Sequence, residues 1–251
     1  MAAQRFEVAR GELNHTRWVA DADAARALAE GEVRLEIEHF ALTANNITYA
    51  AFGETMKYWQ FFPSADAAFG CIPVWGFARV VESRCEGIDA GQRLYGYLPM
   101  GSHLVVQPAR VKPHGFTDAS PHRAELARAY NDYVFCDNDP LYRADREGLQ
   151  ALLRPLFTTS FLLEDFLAEA GWFGARRVLV SSASSKTAFG TAFCATQRAE
   201  RPQLVGLTSK TNVGFVQSLG CWDSVLTYDD VPALDAPVTS VYVDFAGNAA
   251  L

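Results

Sequence analysis

Eight consecutive residues, Ser181-Ser182-Ala183-Ser184-Ser185-Lys186-Thr187-Ala188, place small side chains, hydroxyls and one cation between an apolar run, Val178-Leu-Val, and a helical pattern. A turn built this way lets the backbone come close to a ligand. The helix that opens there offers free N–H groups and a partial positive charge, so the chemistry it suits is anion binding. A dinucleotide loop ordinarily has Gly at several of these places, and here Ser or Ala stands at each. A tight βα turn with Ser caps and no ligand fits the same residues.

The next apolar run ends in Thr208-Ser209-Lys210-Thr211-Asn212. A bare ribose 2′-hydroxyl is usually held at such a place by Asp or Glu. Here there is no acid, several hydroxyls and a lysine, groups suited to a 2′-phosphate. A dinucleotide bound here is predicted to be NADP(H) rather than NAD(H), although a Ser/Thr helix cap accounts for the same residues. Further on, Asp244-Phe-Ala-Gly-Asn248 is a small-residue turn where a cofactor ribose could lie, at Ala246 and Gly247.

These residues need a frame. From Arg176 onward, strands at Val178–Ser181, Leu204–Thr208, Ser224–Tyr228 and Ser240–Phe245 alternate with helices from Lys186 to about Ala199 and from Asn212 to Leu219. Short, continuously apolar strands suit a parallel sheet covered on both faces, and the order is that of a mononucleotide-binding half of a doubly wound fold. The first part of the chain reads as β-rich. Val33, Leu35 and Ile37 alternate with charges, and short apolar runs at 77–83, 93–98 and 102–108 are punctuated by Gly and Pro, the pattern of a small barrel or curled sheet. Between them, Ser120-Pro121 reads as a capped helix start, and Phe157 to Ala170 as an amphipathic helix ended by Gly171.

Composition excludes several classes. Of 251 residues, 49% are hydrophobic and the formal charge is −7, so neither a nucleic acid nor an anionic membrane is an expected partner. Arg123, Arg128, Arg143, Arg146 and Arg154, interleaved with Glu125, Asp145 and Glu147, read as a solvated helical surface. The five cysteines include no C-x-x-C pair, which fits a reducing cytoplasm and neither a disulfide framework nor a four-cysteine zinc site. The five histidines stand singly, with no partner at helical spacing, so no metal site is expected.

Taken together, the two halves resemble the medium-chain dehydrogenase/reductase superfamily, specifically its zinc-free quinone oxidoreductase and enoyl reductase branch. Gly31-Glu-Val-Arg-Leu-Glu-Ile is similar to that family's opening barrel strand, and Ala41-Leu-Thr-Ala-Asn-Asn-Ile-Thr-Tyr to its segment reaching the active cleft. Ile72-Pro-Val-Trp-Gly-Phe-Ala-Arg-Val-Val-Glu-Ser and Gly91-Gln-Arg-Leu-Tyr-Gly-Tyr-Leu resemble two further barrel stretches, and Phe157-Thr-Thr-Ser-Phe-Leu-Leu the family's Thr-containing helix start beneath the nicotinamide. The Ser-Ala-Ser-Ser-Lys-Thr-Ala loop looks closest to the DUF2855 group. The resemblance implies an α/β fold with a GroES-like β-rich barrel domain at 1–120, a connecting helical segment at 121–170 and an incomplete Rossmann-type parallel-sheet domain at 171–251. The superfamily continues beyond a fourth strand, so a fragment is expected, with the fourth strand left as an edge.

The resemblance also implies a function: an NADP(H)-dependent oxidoreductase that reduces an activated C=C or C=O of an apolar small molecule, with a homodimer as the common assembly. Lys210 and Tyr228 would then share the 2′-phosphate. Thr43, Asn46 and Tyr49 lie where the family's cleft segment lies; Asn46 could donate to a carbonyl oxygen, and Tyr49 could relay a proton. Tyr49 reads equally as a packed aromatic and Asn46 as a turn residue. Tyr58-Trp-Gln-Phe-Phe62 reads as core, or as an apolar substrate wall. The changed glycines support an alternative, a non-catalytic reductase-like protein that senses a ligand or binds a partner through its edge.

Overall fold

The structure is a computed structural model that describes residues 2–234 and 238–247. It divides into two compact units, Met1–Leu152 and Leu153–Leu251. The first holds β1 (Gln4–Ala9), β2 (Glu12–Ala20), β3 (Val33–Ala41), α1 (Asn45–Ala51), β4 (Phe69–Gly70), β5 (Pro73–Ser83), β6 (Arg93–Pro99), β7 (His103–Val106), β8 (Pro108–Lys112), β9 (Gly115–Asp118) and β10 (Asp132–Phe135). These form a three-stranded sheet in the order β2-β1-β4 and a seven-stranded sheet in the order β7-β3-β5-β6-β10-β9-β8, with every described pairing antiparallel. Alternation along β3 puts Val33 and Leu35 fully inside, as the period-2 pattern requires. Gly76 on β5 lies where a Cβ would come within 2.3 Å of the His39 carbonyl oxygen, so the irregular crossing of β3 and β5 near His39 depends on glycine.

The core of this unit is aromatic. Tyr97 is fully buried, with the rings of Trp75, Tyr130, Phe61 and Tyr49 centred 4.7–5.7 Å away. Tyr58, Trp59, Phe61 and Phe62 are buried in the same cluster, so that run is core rather than a substrate wall.

Three expectations are corrected in this region. The stretch 121–170 is not a separate helical connection: β10 lies within it and pairs with both β6 and β9, because Tyr133 and Phe135 bury in the first unit. Nor is Arg123 part of a solvated face. It is 1% exposed and lies 3.2 Å from the buried Asp118. Ser120 does not cap the short turn that Pro121 opens; its hydroxyl donates to Asp118 at 2.7 Å.

The helix α2 (Glu147–Glu169) runs across the division between the units. The Thr-containing segment at 157–163 therefore lies mid-helix rather than at a helix start. Pro155 cannot donate within the helix, and just beyond it Thr158, Thr159 and Ser160 donate to the carbonyls four residues back. The second unit continues with β11 (Arg177–Val180), α3 (Lys186–Thr196), β12 (Gln203–Thr208), α4 (Val213–Ser218), β13 (Ser224–Thr227) and β14 (Ser240–Val243). Its sheet is wholly parallel, in the order β13-β12-β11-β14. The chain thus steps outward from β11 through β12 to β13, then returns to place β14 on the other side of β11. In a doubly wound sheet, ligands bind at the carboxyl ends of the strands beside such a reversal. Among the described residues, no helix is long and apolar enough to cross a membrane.

Candidate functional site

The Ser181–Thr187 turn sits at the carboxyl end of β11, at the reversal point, and its serines have divided tasks. Ser181 is fully buried. Its hydroxyl donates to Asp244 at 2.7 Å and accepts the amides of Phe245 and Ala246 at 2.7 and 2.9 Å, stitching the ends of β11 and β14 together. Asp244 also accepts the amides of Ala246 and Gly247 and the Tyr242 hydroxyl. The Ser181 hydroxyl first, then these backbone donors, hold the Asp244 carboxyl below its usual range. The amides of Ala246 and Gly247 are therefore used within their own turn. Asn248 lies outside the described residues.

Ser182 adopts a left-handed conformation, φ 48°, the position for which glycine is the unstrained residue. Its carbonyl accepts the Ser185 amide at 2.7 Å, which closes the bend, and its own amide donates to the Tyr228 hydroxyl at 3.0 Å. Ala183 is fully buried, donates to the Leu207 carbonyl and lies against Gly206. Ser184 accepts from the Asn212 side chain at 3.3 Å, and the Ser185 hydroxyl caps α3 by accepting the Ala188 amide. The amides of Ser184, Lys186 and Thr187 have no acceptor among the described residues, and the exposed Lys186 has no acidic partner among them. Three unpaired amides and an ammonium at a helix N-terminus are a donor set that fits a diphosphate.

Gly206 keeps this turn close to β12. A Cβ there would come within 2.9 Å of both Ala183 Cβ and the Trp222 ring. Gly206→Ala is expected to lower stability by about 1–3 kcal/mol through overpacking. Thermal denaturation is the measurement, and an unchanged midpoint would count against so close an approach.

At the end of β12, Thr208 is 1% exposed and belongs to the sheet. Ser209 and Thr211 share a hydroxyl–hydroxyl hydrogen bond at 3.0 Å. Lys210 is not a lone cation: its Nζ lies 2.6 Å from Asp229, and that contact raises its pKa. Although 208–212 carries no acid, parallel pairing sets Thr227 level with Thr208. The Tyr228-Asp229-Asp230 turn after β13 is thereby brought beside Lys210. Asp230 closes that turn, accepting from both the amide and the hydroxyl of Thr227.

Thr43, Asn46 and Tyr49 lie in the first unit, at and on α1. The Asn46 side chain accepts the Thr43 amide at 2.7 Å and donates to the Pro73 carbonyl at 3.0 Å, and it is 6% exposed. Thr43 accepts the Asn45 amide. The Tyr49 hydroxyl accepts from the Trp75 indole at 3.3 Å, and burial pushes its pKa up. These bonds anchor the segment to β5. Among the described residues, no three His, Cys, Asp or Glu side chains gather as a metal-binding group.

Comparison with known proteins bears on the fold. The family described as "Protein of unknown function (DUF2855)" matches residues 40–251. No curated protein matches the chain in sequence. Among solved structures, the quinone oxidoreductase from Coxiella burnetii is similar with a TM-score of 0.57 at 12% identity, over 99% of this chain and 70% of its own. CurA from Vibrio vulnificus, solved in complex with NADPH, gives 0.56 at 10% identity, over 90% of this chain and 58% of its own. The JamJ enoyl reductase gives 0.53 at 15% identity, over 91% and 60%. The chain thus spans between 58% and 70% of the length of these structures. The match over 40–251 shows that the chain belongs to the DUF2855 family, on a fold shared with these quinone oxidoreductase and enoyl reductase structures.

Proposed function

We propose that the chain is an NADP(H)-dependent oxidoreductase that reduces an activated C=C or C=O of an apolar small molecule. One observation carries the reading: the amides of Ser184, Lys186 and Thr187, unpaired among the described residues, stand with the Lys186 ammonium where a doubly wound sheet reverses. NADP(H), when bound, supplies or accepts the hydride. In this reading the chain's own groups divide the binding. The amides of Ser184, Lys186 and Thr187, with that of Ser182 once it leaves Tyr228, and the Lys186 ammonium take the diphosphate, Lys210 takes the 2′-phosphate, and Ser209 and Thr211 offer hydroxyls beside it. Among the described residues the Asn46 side-chain amide donates to the Pro73 carbonyl alone, and polarisation of a substrate carbonyl would fall to its other hydrogen.

The test is titration of NADPH fluorescence together with thermal stability. Saturable binding below about 1 mM, with stabilisation rising with ligand concentration and weaker binding of NADH, is the expected outcome. An absence of any shift at about 1 mM of either cofactor would overturn the reading. A second reading, a reductase-like protein without turnover, is favoured by one observation: Ser182 and Lys210 already have partners of their own in Tyr228 and Asp229. NADPH oxidation above background with quinones or enones separates the two.

A further inference from the structure

Two bonds join one turn to the candidate site. Tyr228 and Asp229 are adjacent in sequence, yet each satisfies a different group: the Tyr228 hydroxyl accepts the Ser182 amide at 3.0 Å, and Asp229 lies 2.6 Å from Lys210 Nζ. The two recipients are the bend amide next to the three unpaired ones and the cation at the end of β12. Both donated groups resemble phosphate in the relevant respect. A phenolic oxygen accepts from an amide as a phosphate oxygen does, and a carboxylate opposes an ammonium as a phosphate does.

We propose that the Tyr228–Asp229 turn is an internal competitor for the dinucleotide: its hydroxyl and carboxylate sit on the groups that the diphosphate and the 2′-phosphate would engage. The inference rests on the cofactor reading above and adds to it a gating and specificity role for two residues. Exchange is feasible because both bonds are weak. The amide–hydroxyl bond is between neutral groups. The Lys210–Asp229 pair leaves both side chains more than two-thirds exposed, where ion pairs contribute little, and a dianionic 2′-phosphate outbids a single carboxylate for Lys210. The turn also has its own anchor. Asp230 ties it to Thr227, so Tyr228 and Asp229 can rotate away while β13 stays paired.

The two contacts separate by ligand. A hydroxyl on the diphosphate site opposes every dinucleotide, whereas a carboxylate on Lys210 opposes only those carrying a 2′-phosphate. In calorimetric titrations of the 251-residue chain, Tyr228→Phe is expected to tighten NADP+, NAD+ and inorganic pyrophosphate alike, by about twofold to tenfold. Asp229→Asn is expected to tighten NADP+ and adenosine 2′-monophosphate by about fivefold and to leave NAD+ unchanged. With no ligand added, hydrogen exchange at the Ser182 amide should quicken in Tyr228→Phe, and both variants should melt within a few degrees of the parent.

Where the parent binds a dinucleotide, weaker or unchanged binding by Tyr228→Phe overturns the proposal, because Tyr228 would then be a ligand or a bystander. Equal effects of Asp229→Asn on NADP+ and NAD+ overturn the specificity role. The cofactor reading fails separately. If no variant binds a dinucleotide while Tyr228→Phe still gains pyrophosphate affinity and loses Ser182 protection, the internal competitor stands and NADP(H) does not. If pyrophosphate also fails to bind all three proteins, both fall.

Discussion

Arg123→Met is expected to destabilise the first unit by about 3–5 kcal/mol, the cost of leaving one member of a buried ion pair behind. Arg123 is 1% exposed and Asp118 is 2% exposed, with 3.2 Å between them. Asp118 Oδ1 accepts the amides of Gln107 and Ser120 and the Ser120 hydroxyl. Among the described residues its Oδ2 has no hydrogen-bond donor, and it lies 3.2 Å from the guanidinium. The guanidinium in turn lies 4.8 Å from the Phe62 ring centroid and donates to the Tyr133 hydroxyl at 3.3 Å, so methionine fills the same space without the charge. Equilibrium urea unfolding is the measurement, and in a scan the melting of this unit should fall by about 10 °C. The double variant Arg123→Met/Asp118→Asn should recover part of the loss, since it no longer strands a carboxylate. A single-variant loss under about 1 kcal/mol would mean that water reaches Asp118.

Lys186→Glu should separate folding from binding. Lys186 is the first residue of α3, and a carboxylate there interacts favourably with the helix dipole. Stability should therefore hold or rise by a few tenths of a kcal/mol. Under the proposed function, the same change puts a like charge beside the diphosphate and should weaken NADP(H) binding by about 10- to 100-fold, with the difference shrinking as salt is added. Fluorescence titration at low and high ionic strength reads both effects. Unchanged affinity would remove Lys186 from the site.

What could be read from the residues in order was mostly what depends on neighbours in sequence. Val178-Leu-Val, Leu204-Val-Gly-Leu and Ser224-Val-Leu mark β11, β12 and β13, because strands covered on both faces must be continuously apolar. The bend at 181–185 followed by a helix was equally legible, as was the Ser185 cap. Three features were not, because they arise from residues brought together by pairing. Asp229 meets Lys210 only because β13 lies beside β12. The Ser181–Asp244 bond spans the reversal between β11 and β14. Arg123 is charged, as a surface residue would be, and nothing local announces that Asp118 and two phenylalanines enclose it. The hairpin of β1 and β2 leaves little signal in the sequence for a different reason: no residue of β2 is fully buried, so no apolar stripe marks it.

The stitch between β11 and β14 has a kinetic consequence. Arg177 pairs with Ser240, across a loop far longer than those closing β11 on β12 or β12 on β13, so β14 should dock last as the second unit folds. Its ladder is four residues long, and it should also be among the first segments to open. When β14 opens, Ser181 loses Asp244 and the two amides it holds, and the bend after β11 loses its support. Affinity for any ligand of that bend then includes the free energy of closing one short strand, so a substitution far down β14 can weaken binding without touching the ligand.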